Sequence, residues 1–231
     1  MEYKEHYHSF KENITLNDVM QNMEIKTYIQ RVDMVMDIMG YTDHSSAHTK
    51  LVAENAANIL KEFGYSERDV ELARIAGYTH DIGNCINRNL HAQTGATIMF
   101  EILTRMQMPP HEIAPIVSAI GHHDEKDGIA VGPISAALII ADKADVRRSR
   151  VKNEDFATFD IHDRVNYAVE NSFLEIDKEK KDVNLRLKVD LDICSITEYF
   201  EIFLTRMMMS AKATEFLNGK FHLIINDTKL L

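Results

Sequence analysis

The chain has 231 residues, of which 45% are hydrophobic and 27% are charged, with 9 glycines and 4 prolines. These values exclude a fibrous or disordered chain and are typical of a globular protein that buries a substantial core. The formal net charge of −10 argues against a nucleic-acid polymer as partner, whereas a small phosphorylated ligand stays compatible because bound metal ions can supply local positive charge.

The first third of the sequence predicts helices. Apolar residues recur with a period near 3.6 over residues 16–39 and again from His48 to Gly64, where a glycine is typical of a helix end. A third segment begins at Ser66, because Ser66 and Asp69 fit a capping box. We therefore expect a succession of amphipathic helices that bury one face each.

Three more helical segments are predicted before residue 150. They cover about residues 91–106, then from 112 or 115 to 122, then 134–148. Pro133 stands where a proline at the first helical position belongs. The segment after Pro133 is apolar on all sides, which indicates a helix at the centre of the fold.

The pattern changes after about residue 150. Helices are predicted at residues 160–171 and 195–217, and short strands at 173–176, 183–189 and 221–225. The sequence therefore predicts a mostly α protein with a small C-terminal α+β (β-β-α-β) appendage. Its predicted regions are an N-terminal helical segment at residues 1–43, a helical domain at 44–150 and the appendage at 151–231.

Cysteine usage and hydropathy predict the compartment. Cys85 and Cys194 are too few for a disulfide framework, which favours a reducing compartment. No run of 18 apolar residues occurs, and no apolar segment follows Met1, so neither a membrane span nor a signal peptide is expected. We expect a cytoplasmic protein without a membrane partner. The run at 207–209 predicts adaptable methionine packing, for which a homodimer contact is one location, and a cofactor site is the alternative.

Several histidines occupy places where a solvated histidine is not expected. Helix ends or apolar helix faces carry His48, His80, His91, His122 and His123. A single one is explained by a hydrogen-bonded core imidazole or by the helix dipole. Burying all of them together with two carboxylates would leave many polar groups to satisfy, which favours a bound ion. Imidazole and carboxylate ligands without a thiolate cluster favour Mn, Fe, Co or Zn over a cysteine-based structural zinc.

The order of these residues resembles the HD-domain superfamily of metal-dependent phosphohydrolases. His48 is followed by His80-Asp81 within Thr-His-Asp-Ile-Gly, and later by Asp142 within Ala-Asp-Lys-Ala-Asp. Between them stand His91 and His122-His123, a set that is similar to the binuclear branch of the superfamily. The resemblance covers about residues 44–150, and it implies an HD-domain helical bundle there.

The resemblance also implies a ligand set and a reaction. One ion would be held by His48, His80 and Asp142, and a second by His91, His122 and His123. Asp81 would bridge the two divalent transition-metal ions and act as a catalytic residue. The implied reaction is hydrolysis of a phosphomonoester, a phosphodiester or a phosphoanhydride of a nucleotide-like small molecule, with a hydroxide between the metals as nucleophile.

Two positions depart from the HD-GYP cyclic-dinucleotide phosphodiesterases of this branch. Asn84 stands where those proteins have the lysine of a His-Asp-Ile-Gly-Lys motif, and residues 127–133 replace their Gly-Tyr-Pro signature. We therefore do not expect hydrolysis of cyclic di-GMP.

Phosphoryl transfer requires countercharge near the metals. Lys143, Arg147 and Arg148 follow Asp142 at helical spacings of one, five and six, so we predict a catalytic role for Lys143 and substrate binding by the two arginines. A solvated helix end is the alternative for these cations. His44 lies one predicted helical turn before the first histidine ligand and is a further substrate-binding candidate, with a surface position as the alternative.

Two other functions stay open. Mixed-valent di-iron oxygenases of the HD superfamily have a ligand pattern that is hardly distinguishable from this one. A non-enzymatic ligand sensor, in which the appendage recognises the ligand, is the second alternative.

Overall fold

The computed structural model describes residues 10–40, 46–151, 153 and 155–231. The helices are, in chain order, α1 (Leu16–Gln21), α2 (Met23–Ile38), α3 (Ser46–Glu62), α4 (Glu67–Thr79), α5 (His91–Arg105), α6 (Pro110–Gly121), α7 (Pro133–Lys143), α8 (Ile161–Ala168) and α9 (Ile196–Phe216). Short 3₁₀ helices lie at Ile82–Cys85, Arg148–Arg150 and Phe156–Thr158. The strands are β1 (Val169–Asp177), β2 (Asp182–Val189), β3 (Lys220–Ile225) and β4 (Thr228–Lys229).

The long predicted helical run at residues 16–39 is two helices. Asn22 separates α1 from α2, because its backbone is extended and its side chain accepts hydrogen bonds from the backbone N–H groups of Glu24 and Ile25. An asparagine in this role satisfies donors that a helix start leaves unpaired.

Helix α7 is central, as its composition predicts. Every residue from Ile134 to Lys143 is buried, and α7 packs against α3, α4, α6 and α9. Helices α3 and α4 approach closely at Gly77, where an added Cβ atom would lie 2.7 Å from the Cα atom of Ala53. The close packing around α7 brings the ends of several helices to one side of the bundle.

The end of α7 differs from the prediction. The helix ends at Lys143, with Ala144 as its C-cap, and does not continue to residue 148. Beyond the cap, the Asp145 carboxylate accepts hydrogen bonds from Nδ1 of His48 at 2.8 Å and from Nε of Arg147 at 2.6 Å. The chain is no longer α-helical where these contacts are made. The prediction that Arg147 and Arg148 lie on the same helix as Asp142 is therefore wrong.

The C-terminal part forms a four-stranded sheet in the order β1-β2-β3-β4. Strands β1 and β2 form an antiparallel hairpin, β3 lies parallel to β2 after the crossover helix α9, and β4 pairs antiparallel to β3. This arrangement confirms a mostly helical protein with a C-terminal α+β unit. β1 starts at Val169 and not at residue 173 as predicted, because Val169 already pairs with Val189. The sequence did not predict β4, because two residues are too few to show an alternating pattern.

The division of the chain into three regions, with boundaries after residues 43 and 150, remains a prediction. Helix α9 of the C-terminal part packs directly against α7 of the helical part. Within the described ranges, every helix is too short or too polar to cross a bilayer.

Candidate metal centre

Four of the predicted histidine ligands and both predicted carboxylates converge at helix ends. His48 lies in α3, His80 caps the C-terminus of α4, His91 begins α5, and His123 follows α6. All four imidazoles are buried, as are Asp81, next to the first 3₁₀ helix, and Asp142 in α7. Two sets of potential ligand atoms lie within 4.8 Å of one another: His48, His80 and Asp142, and His80, Asp81 and His123.

Asp81 lies between two pairs of imidazoles. Its Oδ2 atom is 3.3 Å from Nε2 of His80 and 3.8 Å from Nε2 of His48. Its Oδ1 atom is 3.4 Å from Nε2 of His91 and 3.7 Å from Nε2 of His123. Because each oxygen faces a different pair of imidazoles, the Asp81 carboxylate can contribute one oxygen ligand to each pair.

Asp142 completes the group around His48 and His80. Its Oδ1 atom is 3.4 Å from Nε2 of His48 and 3.5 Å from Nε2 of His80. Its second oxygen, Oδ2, accepts a hydrogen bond from Nζ of Lys143 at 2.7 Å. The Lys143 ammonium therefore lies directly beside the cluster.

The hydrogen bonds of the four imidazoles indicate which nitrogen is the ligand. Nδ1 donates to a backbone carbonyl in three of them: His80 to Gly77 at 2.8 Å, His91 to Arg88 at 3.0 Å and His123 to Ile120 at 2.7 Å. In His48, Nδ1 donates to the Asp145 carboxylate. A neutral imidazole has one N–H, so each Nε2 keeps a lone pair that points toward the others.

This arrangement fits a divalent metal ion. Nε2 of His91 lies 3.1 Å from Nε2 of His123, although two lone pairs repel at that distance. Nε2 of His80 is fully buried and makes no hydrogen bond of good geometry within the described part of the chain. Converging lone pairs and carboxylates are stabilised by a cation, and this mixture of nitrogen and oxygen donors suits Mn, Fe, Co or Zn.

Electrostatic coupling within the cluster is strong. Burial disfavours the charged form of His80, but the carboxylates of Asp81 and Asp142 outweigh burial and raise the pKa of His80 to about 10. A metal ion at Nε2 of His80 would therefore replace the proton that these carboxylates otherwise favour there. Burial lowers the pKa of His91 to about 4. Burial likewise opposes ionisation of Asp142, yet Lys143 and the neighbouring imidazoles hold the pKa of that carboxyl well below its usual range. Opposed shifts of this kind are typical of functional sites.

Two further polar side chains orient the ligands. Asn84 donates a hydrogen bond from Nδ2 to Oδ1 of Asp81 at 2.9 Å. The residue that replaces the lysine of the HD-GYP motif therefore orients the Asp81 carboxylate. Asp145 holds His48 and is itself held by Arg147, while Arg150 donates to its backbone carbonyl at 2.7 Å. The second aspartate of Ala-Asp-Lys-Ala-Asp was the only sequence signal for Asp145.

Replacing Asp145 by asparagine is expected to weaken metal binding by about 10- to 100-fold, since a partner that orients a metal-bound imidazole contributes that much. The amide keeps the shape of the side chain but removes the charge that favours donation from His48. Competition with a chromophoric chelator measures the affinity. The exposed Asp192, changed to asparagine, is the matched control, and equal affinities for the two variants would refute this role of Asp145.

The remaining predicted site residues lie elsewhere. His122 caps α6 and lines a separate shallow cavity that also includes Gln93 and Asp127, so the structure does not bring it into the cluster. The Arg147 guanidinium contacts Asp145. His44 lies outside the described residues.

Arg148 is directed away from the cluster. Its Nε donates to the backbone carbonyl of Tyr167, and its guanidinium lies over the Tyr167 ring, 4.5 Å from the centroid. Neither Arg148 nor Arg147 is part of the lining of the cavity at the cluster. Their predicted substrate contacts assumed that α7 continues past Lys143.

A cavity of about 460 Å³ opens onto the cluster and is lined by both parts of the chain. The helical part contributes Asp81, His91, His123 and Asp142, and the C-terminal part contributes residues of the α8 region and of α9. The cationic residues in the lining are Arg88, Lys143, Arg150 and Arg206. Sequence reasoning assigned a site role only to Lys143 among them, because the three arginines follow no motif that marks a site.

Comparison with known proteins finds a family match over the helical part of the chain. The sequence profile of the HD domain family matches residues 46–148. An uncharacterized protein of Methanocaldococcus jannaschii is 26% identical over 157 residues, and the match covers 58% of this chain. The chain spans 60% of the length of that relative.

A solved structure is also similar. The crystal structure of a predicted HD superfamily hydrolase from an uncultured Thermotogales bacterium is 22% identical, with a TM-score of 0.42, and covers 58% of this chain and 75% of its own. The profile match spans the helices that carry every residue of the cluster, from His48 to Asp142. Residues 46–148 of the chain are thus similar to the HD domain family.

Proposed function

We propose that this chain is a metal-dependent phosphohydrolase that cleaves an ester or anhydride bond of phosphate in a small molecule. The observation that carries the proposal is the convergence of four imidazole Nε2 atoms and two carboxylates at one end of a cavity with cationic side chains. A volume of about 460 Å³ lies in the range of small-molecule sites, so a nucleotide-sized substrate fits.

The ligand atoms divide into two sets that share one residue. His48, His80 and Asp142 would hold one divalent ion, and His91 with His123 would hold a second, while Asp81 offers one oxygen to each. When bound, such ions supply Lewis acidity toward a phosphoryl oxygen and activate water at neutral pH. Four imidazoles and two carboxylates thus account for two sites without His122.

The chain's own cations would bind and orient the phosphate. The Lys143 side chain is almost completely buried, and its Nζ atom lies 2.7 Å from Oδ2 of Asp142. Arg88 Nη1 lies 3.3 Å from Nε2 of His91 and 3.9 Å from Oδ1 of Asp81. The two cations therefore border the cluster on different sides, where they would stabilise charge on the phosphoryl oxygens.

A cytoplasmic location is part of this proposal. The two thiols, Cys85 and Cys194, are both free, which is compatible with a reducing compartment.

A di-iron oxygenase is the second candidate, because the same imidazoles and carboxylates are suitable iron ligands. The two functions differ in their need for dioxygen, because only the oxygenase consumes it. A phosphohydrolase needs no redox change at the metal, so the proposal expects phosphate release from a panel of nucleotides and phosphomonoesters under strict anaerobiosis with Mn or Co.

The anaerobic assay has a clear contrary outcome. Oxygen uptake that requires iron, without anaerobic phosphate release, would contradict hydrolysis and favour the oxygenase. Tight binding of a panel compound without turnover under either condition would favour the ligand sensor.

A further inference from the structure

Arg206 belongs to the C-terminal helix α9, outside the HD domain match, yet it lines the cavity of the metal centre. Two contacts fix its side chain. Nε lies 2.7 Å from Oε1 of Glu125, and the guanidinium carbon lies 5.0 Å from the ring centroid of Phe203, which is buried one helical turn earlier. The Arg206 side chain therefore lies at the cavity wall between Glu125 and Phe203, with its Nε atom in an ion pair and not in a hydrogen bond of good geometry.

The two terminal nitrogens of Arg206 belong to a side chain that lines the cavity and is 26% exposed. No hydrogen bond or ion pair to them occurs within the described part of the chain, because the contacts of this side chain are those to Glu125 and Phe203. A guanidinium that presents its terminal N–H groups binds two oxygens of one carboxylate or phosphoryl group in parallel.

The position of Arg206 differs from that of the cations beside the cluster. Oε1 of Glu125 is shared between Nε of Arg206 and Nζ of Lys143, the latter at 3.4 Å. Lys143 contacts the ligand Asp142 directly, whereas Arg206 makes no ion pair with Asp142 in the described structure. Arg206 is thus farther from the cluster than Lys143, because the Glu125 carboxylate lies between the two cations. Lys143 is the cation beside the proposed position of the reacting phosphate.

A second guanidinium reinforces this part of the wall. Arg150 is buried and lines the same cavity. Burial lowers the pKa of Arg150, and the charge of Arg206 contributes in the same direction although Asp145 and Asp142 oppose it. Both guanidiniums line the same cavity, so their positive charges favour an anion there.

We propose that Arg206 binds a second anionic group of the substrate, so that the preferred substrates carry a carboxylate or a second phosphoryl group in addition to the phosphate at the metal centre. This inference rests on the proposed phosphohydrolase function, which supplies the phosphate at the cluster. It places a specificity determinant in the C-terminal part of the chain, outside the HD domain.

Phosphonates test the proposal by binding alone, because their C–P bond resists hydrolysis. The probes are propyl- and pentylphosphonate, each compared with the same chain carrying a carboxylate or a second phosphonate at its far end. Calorimetry on the manganese-loaded full chain gives the dissociation constants. We expect at least one double-ended probe to bind about tenfold or more tightly than its single-ended partner, which is the strength of a charge-assisted contact.

The variant Arg206→Gln is expected to lose that preference, while its affinity for the single-ended probes stays within about twofold of the wild type. Unchanged single-ended binding shows that the variant is folded. Arg206→Lys should keep part of the preference because it keeps the charge, and the exposed Lys212→Gln on the same helix is the matched control. The carboxylate and phosphonate arms identify which second group is bound.

Two results would overturn the assignment: no double-ended probe preferred by the wild type, or a preference that survives Arg206→Gln. If the chain is not a phosphohydrolase, the experiments give a different result. The wild type would then release no phosphate from any phosphate ester, whereas the ratio of probe affinities would still report on Arg206.

Discussion

Replacing Asp81 by alanine is expected to remove the bound metal and to lower phosphate release by about three orders of magnitude or more, since the metals supply the activated water. The reason is its position. One oxygen faces His48 and His80, and the other faces His91 and His123. Among the residues that the structure describes, no other carboxylate makes contacts to both imidazole pairs.

The measurement combines a phosphate-release assay with elemental analysis of the purified variant. Asp192→Ala removes an exposed carboxylate outside the cavity lining and serves as control, with wild-type metal content and turnover expected. Circular dichroism establishes that both variants are folded. An Asp81→Ala protein with wild-type turnover would show that catalysis does not occur at this cluster.

The substitution Gly83→Ala is expected to lower the free energy of unfolding by about 3 kcal/mol, at the upper end of the cost of overpacking. An added Cβ atom would lie 2.0 Å from the carbonyl oxygen of His91 and 2.6 Å from the backbone nitrogen of Gly95. Both are backbone atoms of α5, so a rotamer change cannot relieve the overlap. The 3₁₀ helix after Asp81 would have to move away from α5, and metal affinity should fall with stability.

Gly132→Ala is the matched control for this second substitution. Its added Cβ atom would meet nothing within 4 Å, and its φ of −178° suits any residue. Urea unfolding of the two variants and the wild type gives the comparison. A difference between Gly83→Ala and the wild type of less than about 1 kcal/mol would mean that α5 and the 3₁₀ helix are not packed as described.

The fold was predictable wherever local chemistry determines the element. Ser66 caps α4 as predicted, and Pro133 begins α7 at the first helical position. Over residues 16–39 the sequence predicted one or two helices, because the apolar period continues across Asn22 and only the cap geometry separates α1 from α2. The end of α7 was missed because the contact that accompanies it, between Asp145 and His48, is a tertiary one.

The site was predictable to the extent that its residues form an ordered motif. The motif led to His48, His80, Asp81, His91 and Asp142. It does not separate His123 from its neighbour His122, because adjacent residues at a helix end point in different directions, and only the fold reveals that His123 faces the cluster.

The cations of the cavity wall were the least predictable part of the site. Arg206 reaches the cavity only because α9 packs against α7, about 60 residues after the last ligand in the sequence. Glu125, which shares its carboxylate between Lys143 and Arg206, lies in the loop after α6 and has no helical period to mark it. Such contacts depend on how distant elements pack.

Metal analysis of the wild-type protein, purified without chelator, tests the central claim most directly. Four imidazole Nε2 atoms and two carboxylates, with Asp81 between the two imidazole pairs, predict about two divalent transition-metal ions per chain, removable by a chelator and restored by Mn, Fe, Co or Zn. A protein that contains no transition metal as purified, and binds none when these ions are supplied, would contradict it.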